Sequence, residues 1–227
     1  MCVLSVDSAT DIGALGLING DRVLGEVNIH LHHRQSERLL INLKNMLKEA
    51  EVNQRELEGL AVGLGPGSFT GLRIGVTMVK TMAQFLEIPV VGLSTLEILA
   101  AGIYHQQGWL LPVIDARNSR VYTAMFAGGD LDMQSARHLE DRVLPVEKLL
   151  AELADFEDEA RYYLTGSGAL AYREMFAESE LDIVFPGYHA SYPRGAAAAS
   201  LGQFYLQQGR EDDYRSLAPI YLKKAHG

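Results

Sequence analysis

The chain has 227 residues, 48% of them hydrophobic, enough to bury a core in one domain or two small ones, and its formal charge is −9. That balance argues against stand-alone binding of nucleic acid or an anionic membrane, both of which need clustered Lys and Arg. Its single cysteine, Cys2, excludes an intrachain disulfide; with no leader-like start and no apolar run of membrane length, the chain reads as soluble and cytoplasmic.

Residues 2–6 (Cys-Val-Leu-Ser-Val) predict a short strand running into a polar turn, Asp7-Ser8-Ala9-Thr10. Residues 12–18 read as a second strand, Asn19-Gly20-Asp21 as a hairpin turn, and 22–29 as the returning third strand. Three antiparallel strands with an acidic turn after the first open many phosphotransferases, where the aspartate faces phosphate and metal. Asp7 fits that part. Equally, Asp7, Ser8 and Thr10 suit the commoner task of satisfying turn backbone groups. His30, His32 and His33 follow without a carboxylate or thiolate at a ligand spacing. None of the seven histidines has an i,i+4 partner, so a solvated loop is expected here rather than a metal site.

Ser36 is positioned to cap a helix over 36–50, with an apolar stripe of Leu39, Leu40, Leu43, Met46, Leu47 and Ala50 opposite Lys44 and Lys48. An unbroken apolar run at 60–64 predicts a buried strand, stopped by Gly65-Pro66-Gly67. Ser68 or Thr70 then caps a second helix over 70–86, apolar almost all round through Leu72, Ile74, Val76, Met78, Val79, Met82, Ala83 and Phe85. Two such helices on one sheet face leave an apolar patch suited to a partner. The glycine turn raises the question of phosphate, which binds at helix N-termini. Its spacing fits neither a Walker loop, since no lysine lies between Gly65 and Gly75, nor the dinucleotide pattern, where Thr70 occupies the third glycine's place. A tight-packing turn is the better match.

Residues 89–93 form the next predicted strand, and Ser94 with Glu97 caps a helix over 95–104. Strands at 109–114 and 121–126 flank the turn Asp115-Ala116-Arg117, echoing the start of the chain. The second half then reads as a weak repeat: strands within 109–139, a helix near 145–153, a strand at 162–165, Gly166-Ser167-Gly168, and a helix over 170–176. A last helix over 196–208 and an extended tail over 216–224 complete the reading. Asp115 shares the ambiguity of Asp7, with a salt bridge to Arg117 or Arg120 as the plain alternative. No nucleophile emerges, because neither Ser68 nor Ser167 lies in Gly-x-Ser-x-Gly or has an assignable His. The acidic run 155–159 reads as a solvated loop.

Gly65-Pro66-Gly67-Ser68-Phe69-Thr70-Gly71-Leu72-Arg73-Ile74-Gly75 resembles, almost letter for letter, the signature of the TsaB (YeaZ) family. Asp7-Ser8-Ala9-Thr10 is similar to its opening turn, and Ser36-Glu37-Arg38-Leu39-Leu40 to its helix start. Asp115-Ala116-Arg117 with Val121-Tyr122 matches its second-half element, and Pro219-Ile220-Tyr221-Leu222 its ending. The chain departs from the pattern at Gln35, where histidine is usual, and at Asn118-Ser119-Arg120, which replaces Arg/Met-Gly-Glu.

The resemblance implies an α/β, two-lobed actin-like ATPase (ribonuclease H-like) fold, with mixed sheets flanked by helices and lobes at 1–106 and 107–227, the latter including a returning C-terminal segment. It further implies a non-catalytic subunit of the bacterial complex that transfers threonylcarbamoyl to the adenosine beside the tRNA anticodon. Its partners would be the catalytic subunit TsaD, the ATPase TsaE and a second copy of itself, with tRNA reached only through the complex. No catalytic residue, metal or cofactor is expected of this chain, beyond weak ATP or ADP at the complex. The implied interface is Leu39, Leu40, Leu43, Met46, Leu47, Ile74, Met78, Met82 and Phe85. Asp7, Ser8, Thr10, Gly65, Gly67, Ser68 and Asp115 would be a turn or degenerate phosphate site. The competing expectation is an active ATP-dependent phosphotransferase using Asp7 and Asp115 with Mg²⁺. A metalloprotease lacks ligands.

Overall fold

A computed structural model describes residues 1–31, 35–156 and 160–222; His32, His33 and residues 157–159 of the acidic run lie outside them. The chain divides into two compact units, the first formed by Met1–Ile98 with Pro193–Ile220, the second centred on Leu99–Tyr192.

In the first unit β1 (Cys2–Asp7), β2 (Ile12–Asn19) and β3 (Arg22–His30) make an antiparallel meander, with β4 (Gly59–Gly63) and β5 (Val90–Leu93) added parallel to β1, in the order β3-β2-β1-β4-β5. Every residue of β1 is buried, because this central strand is covered on both faces. Leu4 and Val6 point into the main core with Leu60, Val62, Val76 and Val79, while Val3 packs on the other side with Ile18 and Ala199. The core face is closed by α1 (Gln35–Glu49) and α2 (Phe69–Leu86). Helix α1 is described from Gln35, and the cap expected of Ser36 falls on a side chain outside the described ones. The helix α3 (Thr95–Ala101), shorter than expected, carries the chain onward.

The second unit repeats the plan. Its strands are β6 (Trp109–Asp115), β7 (Arg120–Ala127), β8 (Arg137–Pro145), β9 (Arg161–Thr165) and β10 (Asp182–Val184), in the order β10-β9-β6-β7-β8. Thus β6 is the central strand, with antiparallel β7 on one side and parallel β9 on the other. Helices α4 (Met133–Ala136), α5 (Val146–Ala154), α6 (Ser167–Ala171) and α7 (Arg173–Ala177) are interspersed, so the single helix expected over 170–176 is two short ones.

The segment Pro193–Ile220 then returns to the first unit, not to the second as a boundary at 107–227 would have it. The physical reason is α8 (Gly195–Gln207), whose buried face of Gly195, Ala198, Ala199 and Gly202 lets it lie directly on the sheet. A methyl group at Gly16 would stand 2.1 Å from the Gly195 carbonyl oxygen, so backbone meets backbone there. Arg194 pairs with Glu26, which also accepts from the Ala196 N–H at 3.1 Å. Beyond α8 the chain passes β5 and then the end of β4: the Asp212 N–H donates to the Val90 carbonyl (2.8 Å) and the Ile220 N–H to that of Leu64 (2.7 Å). No helix among the described residues is long and apolar enough to cross a membrane.

Candidate functional site

Two features of the first unit concern function: the corner where β1 ends, and the outer face of α1 and α2. At the corner, Asp7 is 1% exposed. Its Oδ1 accepts from the Ala9 N–H at 2.9 Å and its Oδ2 from the Thr95 hydroxyl at 2.8 Å. Gly63 of β4 lies against it, where a methyl group would come within 1.9 Å of Oδ2. Burial pushes the Asp7 carboxyl up to about 6, against the pull of both hydrogen bonds. Thr95 also donates its N–H to the Gly65 carbonyl at 2.7 Å, so one buried threonine staples Asp7 and the glycine turn together.

The glycine turn itself is filled by its own chain. Ser68 caps α2 by accepting from the Gly71 N–H at 3.3 Å, and its own N–H donates to the Ala9 carbonyl at 2.6 Å. The Ser8 hydroxyl donates to the Gly71 carbonyl at 2.7 Å. Gly67, Gly71 and Gly75 make one bare stripe along which Ser8 and Ala9 lie; methyl groups there would approach them to between 2.0 and 2.4 Å. Thr10 is occupied within the turn, bonding both backbone groups of Ile12. Asp7, Ser8, Gly65, Gly67 and Ser68 therefore meet at one corner, as tight packing. Asp115 belongs to the second unit, partly exposed, where its Oδ1 accepts from the Arg117 N–H (2.8 Å) and the Tyr172 hydroxyl (3.0 Å). Its arginine partner is thus the backbone of Arg117, not a guanidinium. Burial, then the Asp115 carboxylate, raises the Tyr172 phenol above its ordinary value. Among the described residues no three His, Cys, Asp or Glu side chains stand close enough to share a metal.

The helices of the expected interface divide sharply by face. Leu39, Leu43, Met46 and Leu47, spaced i, i+4, i+7, i+8, are buried against the unit's own sheet and are not available to a partner. That corrects the sequence reading, which took the whole stripe as one surface. What faces outward is Leu40 (43% exposed), with Ile74, Met78 and Met82 half-buried and Phe85 (72% exposed) near the end of α2. Leu40, Phe69, Arg73, Ile74, Met78 and Met82 line an open groove of about 690 Å³ whose walls are mostly apolar. Arg73 lies over the Phe69 ring, 3.8 Å from its centre, and so covers part of that ring.

Sequence reasoning missed Thr95, Ile41 (50% exposed) and Phe69 (53% exposed). The i, i+4, i+8 glycines at 67, 71 and 75 were a readable sign that another backbone lies against α2. A lone threonine at a helix start carried no such sign.

Residues 27–224 match the family model of TsaD, tRNA N6-adenosine threonylcarbamoyltransferase. The chain is 30% identical over 231 residues to the tRNA threonylcarbamoyladenosine biosynthesis protein TsaB of Bacillus subtilis, spanning 99% of this chain and 95% of that one. A solved Pseudomonas aeruginosa protein, described as similar to the peptidase YeaZ, superposes with a TM-score of 0.83 at 26% identity, over 98% of this chain and 99% of that one. The Acidaminococcus fermentans (R)-2-hydroxyglutaryl-CoA dehydratase component A superposes with a TM-score of 0.53 at 9% identity, over 92% of this chain and all (100%) of that one, a likeness of fold alone. The fold is α/β, two mixed five-stranded sheets flanked by helices, and these solved structures share it.

Proposed function

The chain belongs to the TsaB (YeaZ) family, and from that premise we propose that it is a non-catalytic subunit of the bacterial complex transferring threonylcarbamoyl to the adenosine beside the tRNA anticodon. In this reading it works in the cytoplasm, docks on TsaD through the α1–α2 groove and helps recruit TsaE. A second copy of the chain takes the same face when TsaD is absent. It touches tRNA only through the complex and needs no cofactor of its own, any ATP or ADP being held weakly at the assembly.

The observation carrying this reading is the contrast within one unit. Leu40, Ile74, Met78 and Met82 present an apolar groove to the outside, while the corner where a phosphate would sit is packed with Ser8 and Ala9. Exposed apolar surface of this kind marks interfaces, and burying it is what holds partners together. The contact would keep TsaD in its competent arrangement.

The test is a charge pair placed where the side chains face out, Leu40→Asp with Met78→Asp. We expect a folded, soluble monomer that no longer co-purifies with TsaD and does not support tRNA modification. A double variant that still associates and activates overturns the assignment. Calorimetric titration with ATP and Mg²⁺ separates the rival phosphotransferase reading, which requires tight binding by the isolated chain through Asp7 and Asp115.

A further inference from the structure

A second concave site lies wholly within the second unit. Arg120 at the start of β7, Arg142 and Pro145 on β8, and Lys148 and Glu152 on α5 line a pocket of about 340 Å³. Three cations and one carboxylate line it, in a chain whose formal charge is −9. The imbalance is local and specific. Arg142 Nη1 holds Glu152 Oε2 at 2.6 Å, and Lys148 stands 3.9 Å from the other oxygen of the same group. The acids next along β8, Glu140 and Asp141, are turned to Arg137, at 3.8 and 2.6 Å. Among the described residues Arg120 reaches only the Val143 carbonyl, at 3.4 Å. The Nε atoms of both Arg120 and Arg142 are sealed from solvent and have no acceptor among those residues.

A buried charged donor left without an acceptor is costly, so native structures nearly always supply one. Here Glu152 is already engaged, and two guanidinium groups still lack an acceptor for Nε. A guanidinium presents paired N–H groups at the spacing of two phosphate oxygens, and a small rotation of Arg120, weakly held as it is, turns that edge to the cavity. Carbon walls from Val143, Leu144 and Pro145 leave room beside the charges for a small organic group.

We propose that this pocket binds a phosphate-class oxyanion, either inorganic phosphate or the terminal phosphate of a small monoester, through Arg120, Arg142 and Lys148. A nucleic-acid backbone is disfavoured as the source, because it needs cations spread along a tract rather than gathered in one hollow. The site is independent of the α1–α2 groove, so the two readings fail separately.

Calorimetric titration of the whole chain with inorganic phosphate, and separately with phenyl phosphate, at constant ionic strength tests it. We expect saturable one-to-one binding that Arg120→Gln weakens by about tenfold, since one charge-assisted pair is lost. Glu152→Gln is expected to strengthen it by roughly threefold, because the competing carboxylate is removed while a hydrogen-bonding group stays. Thermal melts of both variants establish that they fold. Tighter binding of phenyl phosphate identifies a monoester as the ligand, and equal binding identifies the free ion. No saturable heat up to about 20 mM of either probe, or an affinity that neither substitution moves, overturns the proposal.

Discussion

The two units share one strand order and differ in what stands at the end of the central strand. In the first, Asp7 is sealed: Gly63 lies against it, Thr95 and Ala9 hold its oxygens, and burial raises its carboxyl to about 6. In the second, Asp115 is partly exposed and is held by a turn and by Tyr172. Its turn is also differently built, with Arg117, Asn118 and Ser119 consecutively in the left-handed region at φ 64, 52 and 55°. Duplicated topology therefore does not duplicate chemistry. Close packing turned one acid into a buttress, while the other stayed at the surface on a strained loop.

Close packing is the quickest part of this comparison to break. A methyl group at Gly71 would stand 2.0 Å from the Ser8 carbonyl oxygen, and backbone cannot step aside as a side chain can. At Gly168, in the first turn of α6, the nearest atom is a Val113 methyl at 2.8 Å, and the nearest backbone atoms, the Asp115 nitrogen and the Ile114 carbonyl carbon, stand farther off at 3.1 Å. Gly71→Ala should cost about 3 kcal/mol or more and Gly168→Ala about 1 kcal/mol, by overpacking less the helix preference of alanine. Urea unfolding of both variants measures the difference. Equal losses would mean that the two corners are not packed differently after all.

Titration sharpens the same contrast. Asp7 has a folded value of about 6 against an ordinary 3.8. Because the value is raised, the folded state binds this proton more tightly. The stabilising contribution is full below pH 3.8 and is lost as pH rises through about 6. Asp7→Asn should abolish that part of the pH dependence and raise stability at pH 8, by at most about 3 kcal/mol at 1.36 kcal/mol per unit. Unfolding curves between pH 4 and 8 check it, roughly the window over which a group with these two values changes charge. An unchanged pH profile would show that Asp7 does not carry this linkage.

Much of this was legible before any coordinates. The short strand at 2–6 and the unbroken apolar run at 60–64, with Asn19-Gly20-Asp21 between strands, determine the meander and the parallel strand beside it, and the repeat of that pattern after residue 108 is real. The site was legible only in part. Leu40 and Leu39 are equally apolar, and only the sheet decides that Leu39 is buried while Leu40 faces out. The different fates of Asp7 and Asp115 depend on Gly63, Thr95 and Tyr172, brought in by distant segments that no local spacing reveals. Helix α8 was legible as a helix but not as a cover for the first unit's sheet, because an alanine-rich helix packs through smallness and carries little hydrophobic periodicity to say which sheet it will cover.

The mildest intervention concerns the strained turn of the second unit. A residue with a Cβ pays roughly 1–2 kcal/mol to enter the left-handed region, less for asparagine, whose short amide is tolerated there. Ser119 has no such dispensation, and it is exposed, so replacing it disturbs no packing. Its carbonyl, which accepts from the Val146 N–H at 3.0 Å at the start of α5, is retained in any substitution. Ser119→Gly should therefore relieve the backbone at little other expense, offset in part by the greater freedom of glycine in the unfolded chain. We expect a gain near 1 kcal/mol and a Tm higher by roughly 2–4 °C. Asn118→Gly should give distinctly less. If Ser119→Gly leaves Tm where it was while Asn118→Gly raises it, the strain sits one residue earlier. If neither moves it, the turn is not strained, and the two corners differ only in how deeply their acids are buried.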